Sequence, residues 1–126
     1  MVEGPRVLLV EDEPVILRLL QVNFRLEGFQ VDACSRGEEA LRRAEANPPD
    51  AVILDVLLPG MNGFEVCERL RERPATASVP IVMVTAQAQD EDRARGYALG
   101  VQEYVTKPFE PAELVATVRG LIDAAG

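Results

Sequence analysis

The chain has 126 residues, of which 48% are hydrophobic, so it can form one globular domain with a packed core. Its formal net charge of -8 argues against direct binding of nucleic acid or an anionic membrane, because phosphate groups are bound mainly by Lys and Arg. The chain has no His, which excludes a phosphohistidine or a catalytic triad of its own.

The first residues and the cysteines indicate the cellular setting. The segment from Met1 to Pro5 lacks the basic and apolar parts of a signal peptide, and no apolar run approaches about 18 residues. We therefore expect a cytoplasmic protein without membrane association. Cys34 and Cys67 are far apart and lack a metal-binding spacing, which predicts two ordinary buried thiols.

Five short runs rich in branched apolar residues predict strands, and helical patterns occupy the intervals between them. The predicted strands are Arg6 to Val10, Gln30 to Cys34, Ala51 to Asp55, Ile81 to Thr85 and Glu103 to Thr106. This alternation predicts a doubly wound α/β fold, in which a five-stranded parallel sheet of flavodoxin-like order 2-1-3-4-5 has helices on both faces. Residues 1–126 are predicted to form one domain with a core from about residue 6 to residue 122.

The first helix is predicted from about Pro14 to Glu27, with Gly28 as its C-terminal stop. Its predicted apolar face comprises Ile16, Leu19, Leu20 and Phe24. This face should pack on the sheet.

Two pairs of residues have the spacing of an N-cap and its returning acid. Ser35 with Glu38, and Asn62 with Glu65, predict helix starts near Arg36 and Gly63. The buried stripes predicted for these two helices contain Leu41, Ala44, Cys67 and Leu70.

The last two helices differ in the strength of their patterns. The fourth, about Asp90 to Leu99, has only a thin apolar face, and the fifth, about Pro111 to Ala124, has a firm one. These faces comprise Ala94, Tyr97 and Ala98 in the fourth helix, and Leu114, Val118, Leu121 and Ile122 in the fifth.

Reactive side chains stand at the carboxyl ends of four of the predicted strands, and this is the edge at which open α/β sheets bind their ligands. They are Glu11 and Asp12, Asp55, Thr85, and Lys107. Two carboxylates about 4 Å apart repel by about 4 kcal/mol at an effective dielectric constant near 20, so such a cluster favours a bound cation. Hard oxygen ligands suit Mg²⁺, and Asp12 and Asp55 are the candidate ligands, with Glu11 beside them.

The same residues belong to a longer ordered set in which each member ends a different strand. The set is Glu11-Asp12, Asp55 followed by Pro59-Gly60-Met61-Asn62-Gly63, Thr85-Ala86, and Lys107-Pro108-Phe109. With this set the chain resembles the receiver domain of bacterial two-component response regulators, over about residues 6 to 122. The resemblance implies a phosphorylation-dependent signalling switch, which is not an enzyme beyond catalysing its own phosphorylation and dephosphorylation.

The resemblance implies a role for each residue of the site. Asp55 is the phosphoacceptor, and Asp12 and Asp55 bind Mg²⁺ or Mn²⁺ with help from Glu11 and the backbone carbonyl of Leu57. Lys107 pairs with the phosphoryl oxygens, and its bond to Pro108 is expected to be cis.

The resemblance also implies a switch and two modulators. Thr85 would hydrogen-bond the phosphoryl group, and Tyr104 would turn inward, which changes the surface of the fourth helix and fifth strand. Leu57 and Gln87 lie two residues beyond Asp55 and Thr85 and line the approach to the phosphoryl group. Because an apolar Leu57 cannot orient a water molecule, we expect slow autodephosphorylation.

The expected partners are of two kinds. A histidine kinase or a histidine phosphotransfer protein donates the phosphoryl group, and an output protein or fused output domain responds to it. We expect a monomer or a weak dimer that depends on phosphorylation, and no direct contact with nucleic acid.

Three alternatives stay open at the sequence level. A pseudo-receiver would act as an unphosphorylated interaction module, against which the full set of acids, Thr and Lys argues. An aspartyl-phosphate phosphohydrolase resembling the haloacid dehalogenase family would need a second Asp where Leu57 stands. A flavin-binding electron carrier would need a first loop that attracts phosphate, whereas the segment from Glu11 to Pro14 is acidic.

Overall fold

A computed structural model describes residues 4–125 of the protein, in which five strands alternate with five helices. The strands are β1 Arg6–Val10, β2 Gln30–Cys34, β3 Ala51–Leu54, β4 Ile81–Thr85 and β5 Glu103–Thr106. The helices are α1 Pro14–Leu26, α2 Gly37–Ala46, α3 Gly63–Glu72, α4 Asp90–Ala98 and α5 Pro111–Ala125. Residues 1–3 and 126 of the predicted domain lie outside the described residues.

The five strands form one parallel sheet in the order β2-β1-β3-β4-β5, which confirms the predicted topology. Val10 at the end of β1 is in register with both Cys34 of β2 and Leu54 of β3. The residues of β3 and β4 are all buried, whereas the edge strands β2 and β5 are partly exposed. This difference explains why the central strands have continuous apolar sequences.

Successive residues of each strand point to opposite faces of the sheet and therefore enter two separate cores. Leu8 and Val10 of β1 belong to the core that contains the buried residues of α2 and α3. Val7 and Leu9 belong to the other core, which contains the buried residues of α1 and α5. Helices thus cover both faces, as the sequence predicted.

Two of the predicted helix boundary signals are confirmed. Gly28 follows α1 with φ +88°, a left-handed conformation that glycine adopts without the steric cost of a Cβ. The side chain of Asn62 accepts from the N–H of Glu65 at 3.0 Å, and the side chain of Glu65 accepts from the N–H of Asn62 at 3.2 Å. This capping box starts α3 where it was predicted.

The predicted cap on Ser35 is wrong. The N-cap residue of α2 is Arg36, whose side chain makes no cap hydrogen bond. Ser35 lies one residue before the N-cap position and therefore does not cap the helix. Glu38 does not return to the helix start as a capping acid. Its carboxylate accepts instead from the N–H of Met61, 3.3 Å away in the loop before α3.

Two helix faces also differ from prediction. Leu20 and Phe24 of α1 are buried as expected, but Leu19 is 38% exposed. The buried face of α1 is therefore narrower than its sequence pattern indicates. The whole predicted face of α4, which comprises Ala94, Tyr97 and Ala98, is exposed. Gly96 is the buried residue of α4, since the helix approaches the ring of Tyr104 too closely for a larger side chain.

The remaining predicted stripes are confirmed in α2 and α3, where all four residues are buried. In α5, Leu114 and Val118 are buried, and Leu121 and Ile122 pack at the margin of the same core. Cys34 and Cys67 are free and buried, and burial raises the pKa of the Cys34 thiol to about 11. No helix within residues 4–125 has the length and apolar character needed to cross a bilayer.

Candidate functional site

The carboxyl edge of the sheet holds the reactive side chains that the sequence placed there. Glu11 and Asp55 each directly follow a strand, and their N–H groups donate to the carbonyls of Cys34 at 3.1 Å and Val10 at 3.0 Å. Asp55 was predicted as the last residue of the third strand, but β3 ends at Leu54. Lys107 leaves β5 in the same way, with its N–H donating to the carbonyl of Thr85 at 2.9 Å.

The start of α3 packs directly against the backbone of Asp55. A Cβ on Gly63 would lie 2.2 Å from the carbonyl oxygen of Asp55, a distance that no side chain could adopt. The N–H of Gly63 donates to the carbonyl of Val56 at 2.9 Å. Glycine at this position, together with the Asn62 cap, therefore fixes the loop that follows β3.

Three carboxylates and one ammonium group meet at this edge. Glu11, Asp12 and Asp55 each provide a carboxylate oxygen, and these oxygens lie within 4.8 Å of one another. The Nζ of Lys107 lies 2.8 Å from Oδ2 of Asp55 and 2.9 Å from Oε1 of Glu11. The side chains of Glu11 and Asp55 are only 2% and 3% exposed, so their charges are weakly screened by solvent.

Burial and charge set the protonation of this cluster. The pKa of Glu11 is raised to about 7, mainly by burial; the hydrogen bond from Lys107 opposes this shift, and the nearby charge of Asp55 adds to it. Burial acts to lower the pKa of Lys107, but its hydrogen bonds to Asp55 and Glu11 outweigh this and hold that pKa above its usual range. Lys107 is therefore a permanent cation in the site.

The donor set fits a divalent cation. With Glu11 ionised, the carboxylates around Lys107 outnumber its single ammonium group, so negative charge remains at the site. Carboxylate oxygens are ligands that suit Mg²⁺, and because this cation keeps several water molecules, one or two of the three carboxylates would be enough to bind it. Asp12 is exposed, which gives a cation access from solvent.

Thr85 is the last residue of β4, and Gln87 lies two residues beyond it. Thr85 is completely buried, and its Oγ1 accepts from the N–H of Gln87 at 3.2 Å. The side-chain amide of Gln87 donates to Oδ1 of Asp92 in α4 at 2.8 Å. This hydrogen bond connects the loop after β4 to α4, and the role of Gln87 beside the phosphoryl group stays a prediction.

Tyr104 of β5 lies inward in this structure. Its side chain is 4% exposed, and its hydroxyl donates to the carbonyl of Gln87 at 2.6 Å. Burial raises its pKa to about 12, and the charge of Asp92 adds to this effect against the opposing charge of Arg93. The hydroxyl is therefore protonated and available as a donor at neutral pH.

The structure thus brings Glu11, Asp12, Asp55 and Lys107 together, with Thr85 and Tyr104 linked to each other through Gln87. The side chain of Leu57 is exposed, and its N–H donates to Oδ1 of Asp55 at 3.0 Å. The Lys107–Pro108 peptide bond is cis, as predicted.

Sequence reasoning missed two contacts of the site. Oε2 of Glu13 lies 3.2 Å from the Nζ of Lys107. Glu13 is the third acid of the run that follows β1, and this position could have indicated that it belongs to the site. Oδ1 of Asp92 accepts a hydrogen bond from the side chain of Gln87. Three acids occupy the first turn of α4, and nothing in the sequence indicates which of them makes this contact.

Comparison with known proteins identifies the family. The family model of the response regulator receiver domain matches residues 7–119. The phosphate regulon transcriptional regulatory protein PhoB of Rhizobium meliloti is 46% identical over 121 residues, which cover 96% of this chain and 53% of that protein. The DNA-binding response regulator MtrA of Mycolicibacterium smegmatis is 45% identical over 114 residues, which cover 90% and 49%. The chain spans about half the length of these curated relatives.

Solved structures agree with this assignment. The Francisella response regulator 1452 receiver domain has a TM-score of 0.91 at 26% identity, with coverage of 98% of this chain and 100% of that chain. The chemotaxis response regulator CheY4 of Vibrio cholerae has a TM-score of 0.87 at 31% identity, with coverage of 93% and 98%. With the site at the carboxyl edge of the sheet, these matches show that the chain belongs to the response regulator receiver domain family of two-component signalling proteins.

Proposed function

We propose that this domain is a phosphorylation-dependent switch in which Asp55 accepts a phosphoryl group and Lys107, Asp12 and Glu11 assist the transfer. The observation that carries the proposal is the position of Asp55. Its carboxylate is buried next to two other carboxylates, yet it binds a permanent cation, Lys107, at 2.8 Å. Family membership supports the same role.

In the proposed reaction a carboxylate oxygen of Asp55 attacks the phosphorus atom of a phosphohistidine or of a small phosphodonor. An oxygen–phosphorus bond forms, and the bond between phosphorus and the donor atom breaks. The ammonium of Lys107 leaves its pair with Asp55 in part and binds the incoming phosphoryl oxygens. Such transfers depend mainly on positioning and on electrostatic stabilisation, and the ammonium of Lys107 would supply the positive charge for the second of these.

Asp12, Asp55 and Glu11 would hold a divalent cation, Mg²⁺ or Mn²⁺, and the carbonyl of Leu57 is proposed as a further ligand. When bound, the cation would neutralise charge on the phosphoryl oxygens. The donor set supports this proposal because its carboxylate oxygens lie within 4.8 Å of one another.

Thr85 and Tyr104 are proposed to transmit the modification. The Thr85 hydroxyl would donate to a phosphoryl oxygen, a partner that exists only in the modified state. Gln87 supports this link, since its N–H contacts Thr85 and its carbonyl contacts Tyr104. A change at Thr85 would therefore shift Tyr104 and the surface formed by α4 and β5.

The partners follow from this reaction as proposals. Since the chain has no His, we propose that a histidine kinase or histidine phosphotransfer protein supplies the phosphoryl group in a relay. Curated relatives are transcriptional regulatory proteins about twice as long, so we propose that the surface of α4 and β5 controls an output partner or output domain. The domain itself would catalyse only its own phosphorylation and dephosphorylation.

The test is the intact mass of the protein after incubation with acetyl phosphate and Mg²⁺. We expect one phosphoryl group per chain in the wild type, and none in Asp55→Asn or after metal chelation. Absence of phosphoryl gain in a wild type that is shown to be folded would reject the switch and favour an unphosphorylated interaction module. If Asp55→Asn gained as much phosphoryl mass as the wild type, the phosphoacceptor would be another residue.

A further inference from the structure

Glu13 is a third acidic partner of Lys107, and the proposed reaction does not use it. Its Oε2 lies 3.2 Å from the Nζ of Lys107. The other two partners of this ammonium group are Asp55 at 2.8 Å and Glu11 at 2.9 Å. An ammonium group has three donor hydrogens, so these three carboxylates can occupy all of them. A phosphoryl oxygen that binds Lys107 must therefore replace one of the three.

The three acidic partners differ in what their release from Lys107 would cost. The side chains of Glu11 and Asp55 are 2% and 3% exposed, whereas the side chain of Glu13 is 59% exposed. A buried carboxylate that loses its cation keeps a charge that water does not reach, which is costly, but an exposed carboxylate is hydrated instead. Glu13 is therefore the partner that a phosphoryl group can replace most easily.

The backbone of Glu13 is held in place, while its side chain has no second role in the structure. Glu13 is the N-cap residue of α1, but its side chain makes no cap hydrogen bond. Its N–H donates to Oε2 of Glu11 at 3.1 Å, and its carbonyl accepts from the N–H of Leu17 at 2.9 Å. The side chain can thus leave Lys107 while the backbone keeps its place beside Glu11.

We propose that Glu13 is a specificity-determining residue, the exchangeable partner of Lys107, whose negative charge disfavours small anionic phosphodonors. This inference rests on the proposed function of Asp55. The incoming phosphoryl group displaces the Glu13 carboxylate from Lys107, and the donor and this carboxylate carry charge of the same sign. Their repulsion grows with the negative charge of the donor.

The consequence is discrimination between classes of phosphodonor. A small donor such as acetyl phosphate has little surface beyond its reacting group, so nothing compensates for the repulsion. A protein that carries phosphohistidine can offset the repulsion through contacts with other surfaces of the domain, since complementary interfaces favour one partner over others. Glu13 therefore protects Asp55 from small anionic donors while it permits transfer from a protein.

The test measures the rate of phosphoryl uptake from two small donors by intact mass, with Mg²⁺ at a concentration that saturates each variant. Acetyl phosphate carries two negative charges at neutral pH and releases acetate, whereas phosphoramidate carries one and releases ammonia. In both reactions the Asp55 oxygen bonds to phosphorus, and the leaving group takes the electron pair of the broken bond. Glu13→Gln keeps the size of the side chain and removes its charge.

We expect Glu13→Gln to take up the phosphoryl group from acetyl phosphate about fivefold faster than the wild type at low salt. With phosphoramidate the gain should be about twofold, because the repulsion is proportional to the charge of the donor. In about 1 M salt, where the Debye length is about 3 Å, most of both gains should disappear. Glu27→Gln is the matched control at the exposed C-cap of α1, and its rates should equal those of the wild type.

Equal rates for the wild type and Glu13→Gln, or slower uptake by Glu13→Gln, would overturn the inference. Equal gains with both donors, a gain that high salt does not reduce, or the same gain in Glu27→Gln would also overturn it, because the local charge of Glu13 would not be the cause. Each of these results includes phosphoryl uptake by the wild type and leaves the proposed function intact. A folded wild type that takes up no phosphoryl group from either donor would overturn both.

Discussion

Glu11 is a buried carboxylate whose burial opposes the ionised form that its proposed role in cation binding requires. Its side chain is 2% exposed and contacts Lys107 at 2.9 Å, yet burial and the charge of Asp55 raise its pKa to about 7. A carboxylate that is half protonated near neutral pH binds a cation less strongly than one that is always ionised. Cation binding and Glu11 ionisation should therefore be linked.

We predict that the affinity for Mg²⁺ rises with pH as Glu11 ionises. Below its pKa of about 7 Glu11 binds a proton that a cation must displace, and above that pKa the carboxylate is free. The affinity should be about tenfold higher at about pH 8 than at about pH 6. Titration calorimetry at the two pH values measures this, and Glu11→Gln should remove most of the dependence. Equal affinity at both pH values would show that Glu11 does not take part.

Leu57 gives a second prediction at this scale. Its side chain is 52% exposed beside Asp55 and cannot hydrogen-bond a water molecule. Leu57→Asn supplies an amide that can orient one, so we expect phosphoryl loss to be roughly tenfold faster, as positioning effects permit. Leu57→Ala is the control for size, since it shortens the side chain without adding a polar group. Equal phosphoryl half-lives in Leu57→Asn and the wild type would reject the prediction.

Among the elements, α4 differs most from the other helices. Its buried residue is Gly96, and its alanines face solvent, so it adheres to the sheet through little apolar area. A side chain at position 96 would meet the ring of Tyr104, with a Cβ only 2.8 Å from Cδ2. The close approach of α4 to Tyr104 therefore depends on having glycine at position 96.

We predict opposite effects of Gly→Ala changes in α4 and α5. Gly96→Ala should lower the free energy of unfolding by about 1–3 kcal/mol, because the new methyl group overpacks Tyr104. Gly120→Ala is the control. Apart from its sequence neighbours and the backbone of its own helix, no atom lies within 4 Å of its new Cβ, so the helix preference for Ala should raise the free energy of unfolding by about 0.5–1 kcal/mol. Urea unfolding of both variants decides this, and a gain in Gly96→Ala would contradict the packing described.

At the scale of the whole molecule, one sheet separates two cores and ends in a concentration of negative charge. Helices α1 and α5 pack on one face, and α2 and α3 pack on the other, while the acids meet at the carboxyl edge. Because the folded chain assembles the proposed cation site from residues that follow β1 and β3, cation binding should stabilise the fold as a whole.

We predict that Mg²⁺ raises the free energy of unfolding by about 2.7 kcal/mol at roughly 100 times its dissociation constant. Asp12→Asn should lose most of this gain, because it removes a proposed ligand. Asp123→Asn removes the same charge from an exposed position in α5 and should keep the gain. Thermal or urea unfolding with and without Mg²⁺ measures the difference. If Mg²⁺ raised the free energy of unfolding of Asp12→Asn by the same amount, Asp12 would not be a ligand of the cation.

The sequence by itself determined the fold and the edge of the sheet at which Glu11, Asp55 and Lys107 meet. Alternation of apolar runs and helical patterns implied a parallel sheet, and parallel strands bring their carboxyl ends to one edge. Asp55, Glu11 and Lys107 could therefore be placed together without coordinates, although Lys107 and Asp55 are 52 residues apart. The capping box at Asn62 was equally readable, because all its atoms come from one short segment.

Only the tertiary structure decided how each side chain uses its position. The attachment of Gln87 to Asp92, the contact of Glu13 with Lys107 and the burial of Gly96 depend on the rotation of helices against strands. The failure of the Ser35 cap has a related cause, since Glu38 finds its partner in a distant loop. Local patterns specify which face of an element is apolar, but rotamers and helix rotations are chosen by neighbours remote in sequence.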